Sequence, residues 1–466
     1  MARTRVERDT MGEMELPTEA LWAASTQRAV ENFPVSGQPL PPSFVHALGL
    51  VKLAAARVNR DLGLLESEIA AGIEAAARQI ADGEHDREFP IDVFQTGSGT
   101  SSNMNANEVI GTLASRALGR KVHPNDHVNL GQSSNDVIPT VLHVAATLGI
   151  ERDLIPALRH LHGSLKAKAA EFDHVVKIGR THLMDAVPIR LGQEFSGYAR
   201  QVELGIGRVE AALPGLRELA IGGTAVGTGL NTHAEFGGRV AAVLSELTGT
   251  SFVEAGNHFE AQGARDAYVF AAGALTTVAA SLMKIANDVR LLASGPQAGL
   301  GELVLPAIQP GSSIMPGKVN PVIAESVIQV GAQVTGNGLA VTIGGQWGQL
   351  DLNVMLPMMA RNLLESISLL ANVSRLFVDK CLAGTTANEE RAAGYIEGSI
   401  SMATALNPHI GYEAAAAIAK KSHTTGRTVR DLAYEETGLS REQVDEILHP
   451  HQQTIAGTGS GQAAGG

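Results

Sequence analysis

Residues 311 to 322 read Gly311-Ser312-Ser313-Ile314-Met315-Pro316-Gly317-Lys318-Val319-Asn320-Pro321-Val322. The stretch crowds hydroxyls, backbone N–H groups, an ammonium and an amide into one loop. Gly311 and Gly317 let the backbone turn its donors toward a ligand, while Pro316 and Pro321 restrict the shapes available. Donors that converge where negative charge develops are what a carbanion or oxyanion intermediate requires, so the chemistry to expect is polarisation of a small carboxylate. A nucleotide-phosphate loop is excluded by spacing. Five residues separate Gly311 from Gly317, one more than that loop has, and Val319 stands where Ser or Thr would bind the metal.

Three other polar runs hold groups of the same kind: Thr96 to Asn105, Gly131 to Asp136, and Gly179 to Asp185. In the third, His182 offers an imidazole that moves a proton near neutral pH. Taken without relatives, a lone His in a polar loop more often serves as a hydrogen-bonding residue. The serine pair Ser312-Ser313 suits a turn or cap as well as it suits catalysis.

Long helices must position these loops. Leu275, Val278, Leu282, Ile285, Val289 and Leu292 recur at alternating gaps of three and four, a heptad seam that suits near-parallel helices. Further helices are expected after Pro188 (to about 212), after Pro321 and after Pro357, since Pro favours helix entry. Aromatic content of 4% with 51 glycines favours closely packed helices over a β-sandwich. No dinucleotide fingerprint is present: Ser102 and Glu210 fall where the third glycine should be after Gly97 and Gly205. At 466 residues the chain divides by this reading into a helical region over 1–130, a bundle region over 131–386 and a small helical region over 387–466. Its glycine-rich tail from Gly457 is expected to be disordered.

A formal charge of −12 argues against nucleic acid. An enzyme of anions would then need local positive charge, for which Arg120, Lys121, Arg180 and Lys318 are the candidates. The single Cys381 rules out an intrachain disulfide or a thiolate metal cluster. Neither a secretory signal nor an uninterrupted apolar span is read from the sequence, so a cytoplasmic location without membrane contact is expected.

The signature loop resembles that of the fumarase/aspartase superfamily. Thr96 to Asn105 and Gly131 to Asp136 resemble its two substrate-binding loops, and Gly179 to Asp185 its second catalytic region. Gly222 to Asn231 and Asp351 to Val354 complete six motifs in family order. Within the superfamily the resemblance is to the metal-free class II fumarases, because Thr181-His182 stands where the aspartases carry Gln in place of His. It implies a mainly α, three-domain fold with a long central helical bundle, and a homotetramer with active sites shared between subunits. The activity implied is reversible trans hydration of fumarate to L-malate, a step of the tricarboxylic acid cycle, without metal or other cofactor. An ammonia or amine lyase and a non-catalytic relative on the same scaffold are the competing readings, opposed by His182 and by the intact catalytic set.

The resemblance also implies roles. Ser312 is the base that takes a proton beside a carboxylate, and Lys318 and Asn320 stabilise the resulting aci-carboxylate. His182 handles the water, with Glu325 as its partner. Ser98, Gly99, Thr100, Ser133, Ser134, Asn135, Thr181, Ser313, Lys318, Val319 and Asn320 bind substrate. Arg120 with His123, Pro124, Asn125 and Asp126 resembles a second dicarboxylate site. Three positions depart from the family pattern: Asp351 for the usual Glu, Gly338 for the usual Asp after Asn337, and His127 for a frequent Asp.

Overall fold

The computed structural model describes residues 3–458; the expected disorder of the tail from 459 onward lies outside them. Two compact units separate by their internal contacts. The first is Met1–Pro156, Gly205–Ala280 and Val330–Asn372; the second is Ala157–Leu204, Ser281–Gln329 and Val373–Gly466. The region expected over 1–130 falls wholly in the first unit and that over 387–466 wholly in the second, while 131–386 is divided between them. Each passage of the chain from one unit to the other falls inside a helix.

The first unit opens with an antiparallel hairpin, β1 (Thr4–Asp9) and β2 (Gly12–Pro17), paired from Thr4↔Pro17 to Asp9↔Gly12. Helices α1 (Ala24–Asn32), α2 (Pro42–Asp61), α3 (Ser67–Ala81), α4 (Thr100–Leu118) and α5 (Ser134–Gly149) follow. Pro42 starts α2 at a position where its missing N–H costs nothing. The α2–α3 approach is very close: a Cβ on Gly49 would lie 2.6 Å from Ala81 N and 2.9 Å from Ala77 O. A capping box starts α5, with Ser133 and Asp136 exchanging side-chain and backbone bonds.

The second unit takes in most of α6 (Ile155–Glu171), then a hairpin of β3 (Val176–Thr181) and β4 (Met184–Arg190), then the start of α7 (Leu191–Glu210). The polar run around His182 is thus a β-turn between strands, where the sequence suggests only a loop. Val176, Ile178, Val187 and Ile189 alternate on the two strands, and Ile178 packs in a cluster with Ile396, Leu406, Ile418, Leu432 and Val444 of the C-terminal helices. Pro188 pairs with Ile178 inside β4, so α7 starts three residues later at Leu191.

After α8 (Leu213–Leu216), α9 (Phe236–Thr248) and α10 (His258–Gly263) come three long rods, α11 (Asp266–Leu292), α12 (Val322–Gly345) and α13 (Leu356–Lys380). All six seam residues of α11 are buried, at most 6% exposed. This helix is long and apolar enough to cross a membrane by length and composition, with mean hydropathy 1.6; its seam is spent instead on packing within the protein. The unusual Gly338 has a local reason: a Cβ there would lie 2.4 Å from Thr276 Oγ1 of α11. Its neighbour Asn337, 3% exposed, donates to Glu365 Oε2 at 2.9 Å and to Ser366 Oγ at 3.2 Å.

Gly49→Ala is expected to destabilise the protein by about 1–3 kcal/mol, because backbone rather than a movable side chain blocks the added methyl. Differential scanning calorimetry should show the thermal midpoint falling by roughly 1–3 °C.

Candidate active site

The first unit brings the two predicted binding loops together at adjacent helix N-termini. Gly99, at φ 73°, caps α4; a Cβ there would also approach Ile138 on α5 to 2.9 Å. Ser98 is 7% exposed, and its hydroxyl lies 2.8 Å from that of Thr100. Across on α5, Ser134 Oγ accepts from Asn103 Nδ2 of α4 at 3.0 Å, and Ser133 Oγ accepts from Asn135 N at 3.2 Å. Both serine oxygens already accept, and each hydroxyl still has a hydrogen to donate. Asn135 Nδ2 donates to Ala225 O at 2.8 Å and keeps a second N–H. Small neutral donors at two helix N-termini are of the kind that can hydrogen-bond an anion.

Two further motifs brace these loops. Asp136, fully buried, accepts from Ser133 N at 2.9 Å, Gly222 N at 3.1 Å and Thr224 N at 2.9 Å, so the Gly222 run is a floor for the Ser133 loop. Burial pushes the Asp136 carboxyl up to about 6, against those donors and the charge of Lys52. The Asp351 run stands against the first loop: Leu356 N donates to Gly97 O at 2.9 Å, and a Cβ on Gly97 would collide with Val354 O.

Behind this layer lies a residue with no warning in the motifs. Lys52 of α2 is 0% exposed. Its ammonium donates to Asn129 Oδ1 at 2.8 Å and Gln132 Oε1 at 3.0 Å, and burial pushes it down to about 7.

The second unit carries the imidazole and the signature loop. Thr181 pairs with Met184, which leaves His182 and Leu183 as the two turn residues, at φ 57° and 62°. Positive φ at both centres is the type I′ pattern that Asn-Gly normally fills, so two side chains are held at a cost of order 1–2 kcal/mol each. Backbone strain of this kind collects at functional sites. The hairpin is anchored through Arg180, whose Nη1 and Nη2 donate to Glu302 at 2.9 and 3.0 Å. Glu302 is 0% exposed and also lies 3.4 Å from Lys177 Nζ.

In the signature loop, Ser312 Oγ accepts from Ile314 N at 3.2 Å and Met315 N at 3.0 Å. Gly311 N donates to Lys318 O at 2.8 Å, and Asn320 Nδ2 to Gly311 O at 2.7 Å, closing the loop. A Cβ on Gly311 would lie 2.6 Å from Lys318 O, so glycine is required there. Ser313, Lys318 and Val319 are exposed, and Glu325 sits in the first turn of α12. Among the described residues no hydrogen bond joins His182 to Glu325 or to Ser312.

The second-site group forms one π-helical turn, Pro124–Val128. His123 Nδ1 accepts from Asn125 N and Asp126 N at 3.3 and 3.1 Å. Arg120 is ion-paired with Glu66 and Glu68 at 2.7 and 3.0 Å. No group of three or more His, Cys, Asp or Glu suited to a metal occurs among the described residues. Sequence reading missed Glu302 and Lys52. An Arg inside a motif calls for a counter-ion, but nothing in the sequence says which carboxylate provides it.

This arrangement belongs to a known class. A family model described as lyase matches residues 12–336, and one described as fumarase C C-terminus matches residues 402–454. A protein of Mycobacterium tuberculosis called fumarate hydratase class II is 61% identical over 96% of this chain and 95% of its own. One of Corynebacterium efficiens with the same name is 59% identical over 95% of each. The crystal structure of class II fumarase from Schistosoma mansoni superposes with TM-score 0.95 at 40% identity, covering 97% of this chain and 99% of that one. The cobalt-bound structure from Brucella melitensis described as fumarate lyase:delta crystallin gives 0.93 at 45%, covering 97% and 100%. The chain belongs to the class II fumarate hydratase family of the fumarase/aspartase superfamily.

Glu302→Gln is expected to cost about 3–5 kcal/mol, since it strands Arg180 and weakens the compensation of Lys177. Chemical denaturation should show that loss, and kcat should fall with it as the hairpin tip loses its anchor.

Proposed function

We infer that this chain is a fumarate hydratase that interconverts L-malate and fumarate. Its kinship with class II fumarate hydratases carries the reading, and the imidazole of His182 at the strained turn is the site feature that favours hydration over ammonia elimination. The donors of Ser98, Gly99, Thr100, Ser133, Ser134 and Asn135, with Thr181, hold the substrate carboxylates without a salt bridge, which favours release of a small product.

In the malate direction, Ser312 as alkoxide takes the proton from the carbon beside one carboxylate. The C–H electron pair moves into that carboxylate and gives an aci-carboxylate dianion. Two backbone N–H groups on Ser312 Oγ lower the cost of the alkoxide. Lys318, the remaining N–H of Asn320 and the backbone donors of the loop, with Ser313 and Val319, hold the dianion. The C–O bond then breaks on the adjacent carbon as His182 delivers a proton to the departing hydroxyl, and fumarate and water leave. Glu325 sets the basicity of His182. The Arg120 and His123–Asp126 group is assigned as a second dicarboxylate site, with the cation already shared with two glutamates.

The active unit proposed is a homotetramer, in the cytoplasm, with His182, Ser312 and Glu325 meeting between copies. From Ser326 to Leu350 there is no charged residue. Even so, Leu339 is 62%, Ile343 44% and Trp347 50% exposed on that stretch, and Phe270 of α11 is 57% exposed. Apolar surface of this extent calls for a covering copy.

Fumarate absorbance should rise on incubation with L-malate and stay flat with L-aspartate; the reverse would replace the hydratase reading with an ammonia lyase. Ser312→Ala should lower kcat about a thousandfold or more with the fold intact, and His182→Asn about a hundredfold or more. Glu325→Gln should move the pH–rate profile. An active monomer by light scattering would refute the shared site.

A further inference from the structure

Two of the cations expected to offset the protein's negative charge near these loops are already committed to carboxylates. The protein carries a net −12, Arg120 is spent on Glu66 and Glu68, and Arg180 is spent on Glu302. Lys52 differs from both. It is wholly buried, and its two hydrogen-bond partners, Asn129 and Gln132, are neutral amides. No carboxylate lies within ion-pair distance of it among the described residues. The carboxylate whose charge reaches it is Asp136 on α5, itself engaged by three backbone N–H groups.

Burying a cation without an ion partner costs several kcal/mol. Donating to two amide oxygens does not require that expense, because a neutral amide side chain could do the same. What only a cation supplies is a field, which reaches far in a poorly polarisable interior. The hydrogen bonds show where it leads. Asn129 Oδ1, the acceptor of Lys52, also accepts from Asn103 Nδ2 at 3.2 Å, and Asn103 Nδ2 donates to Ser134 Oγ at 3.0 Å. Three hydrogen bonds in series separate the ammonium from the Ser134 hydroxyl.

We propose that Lys52 is a specificity-determining residue for ligand charge: its buried ammonium supplies the positive potential that makes the two helix N-termini prefer a dianion to a monoanion. The proposal rests on the reading of these loops as the carboxylate site. It explains how an acidic protein binds a dianion through neutral donors: the charge stands one layer back, where it attracts without gripping. Since burial holds this ammonium at about 7, a bound dianion also secures its proton. The groups packed around it are Asp136 from α5 and the uncharged Asn103, Asn129 and Gln132.

Calorimetric titration of the full-length protein with succinate, a dianion, and succinamate, its monoanionic amide, tests this. Lys52→Gln keeps an N–H donor and should fold. It should weaken succinate about tenfold and succinamate only about threefold, as a field acting on one charge more requires. Equal losses for both ligands would make Lys52 a structural brace and overturn the proposal, as would no loss. The wild type provides a measure that needs no variant. Its preference for succinate over succinamate should shrink roughly twofold to threefold between pH 6.5 and 8.5 as the ammonium is lost, and a constant preference overturns the proposal. The reading beneath it fails separately: a wild type that binds neither ligand would remove the carboxylate site itself, whereas unequal losses in a protein inert toward malate would remove only the hydratase.

Discussion

Asp136 is the interaction on which the anion receptor depends. One buried carboxylate accepts N–H groups from the Ser133 loop and from the turn at Gly222 and Thr224, so it fixes the start of α5 against a segment about ninety residues away. Without it the loop would have to satisfy its own donors and would turn inward. With the backbone held this way, Ser133 Oγ accepts from Asn135 N and Ser134 Oγ from Asn103 Nδ2, which leaves each hydroxyl hydrogen able to donate.

Much of this was legible in the sequence, for physical reasons. The seam of α11 declares itself because burial on one face forces an apolar repeat, and all six of its residues are buried. The glycines of the signature loop are forced by close approach, as Gly311 shows against Lys318 O. The six motifs were visible as runs because each supplies several donors from consecutive residues. Lys52 and Glu302 were hidden because each acts alone from a distant element. A lysine in an Ala-rich helix looks solvated until the fold shows both sides of the helix covered. The β3–β4 hairpin was hidden for another reason: its turn carries His182 and Leu183, not the Asn-Gly that would announce it.

That missing turn signal is itself informative. A hairpin closed by two side chains at positive φ is stable only if the strands beside it are over-determined. Here Ile178 is locked in the core of the C-terminal helices, and Arg180 is locked by a bidentate pair to a carboxylate with no exposed surface. The tertiary structure thus absorbs the turn's strain, and the imidazole is presented from a rigid tip.

Buried charge is handled differently in the two units. On the hairpin side, both buried cations, Lys177 and Arg180, are matched by Glu302 and Glu194, so they build structure and project little field. On the receptor side, a buried cation is left with neutral partners. On the proposal above, an ammonium one layer behind neutral donors, with Asp136 as the carboxylate whose charge reaches it, attracts a dianion without a salt bridge, and that role offsets the cost of its burial.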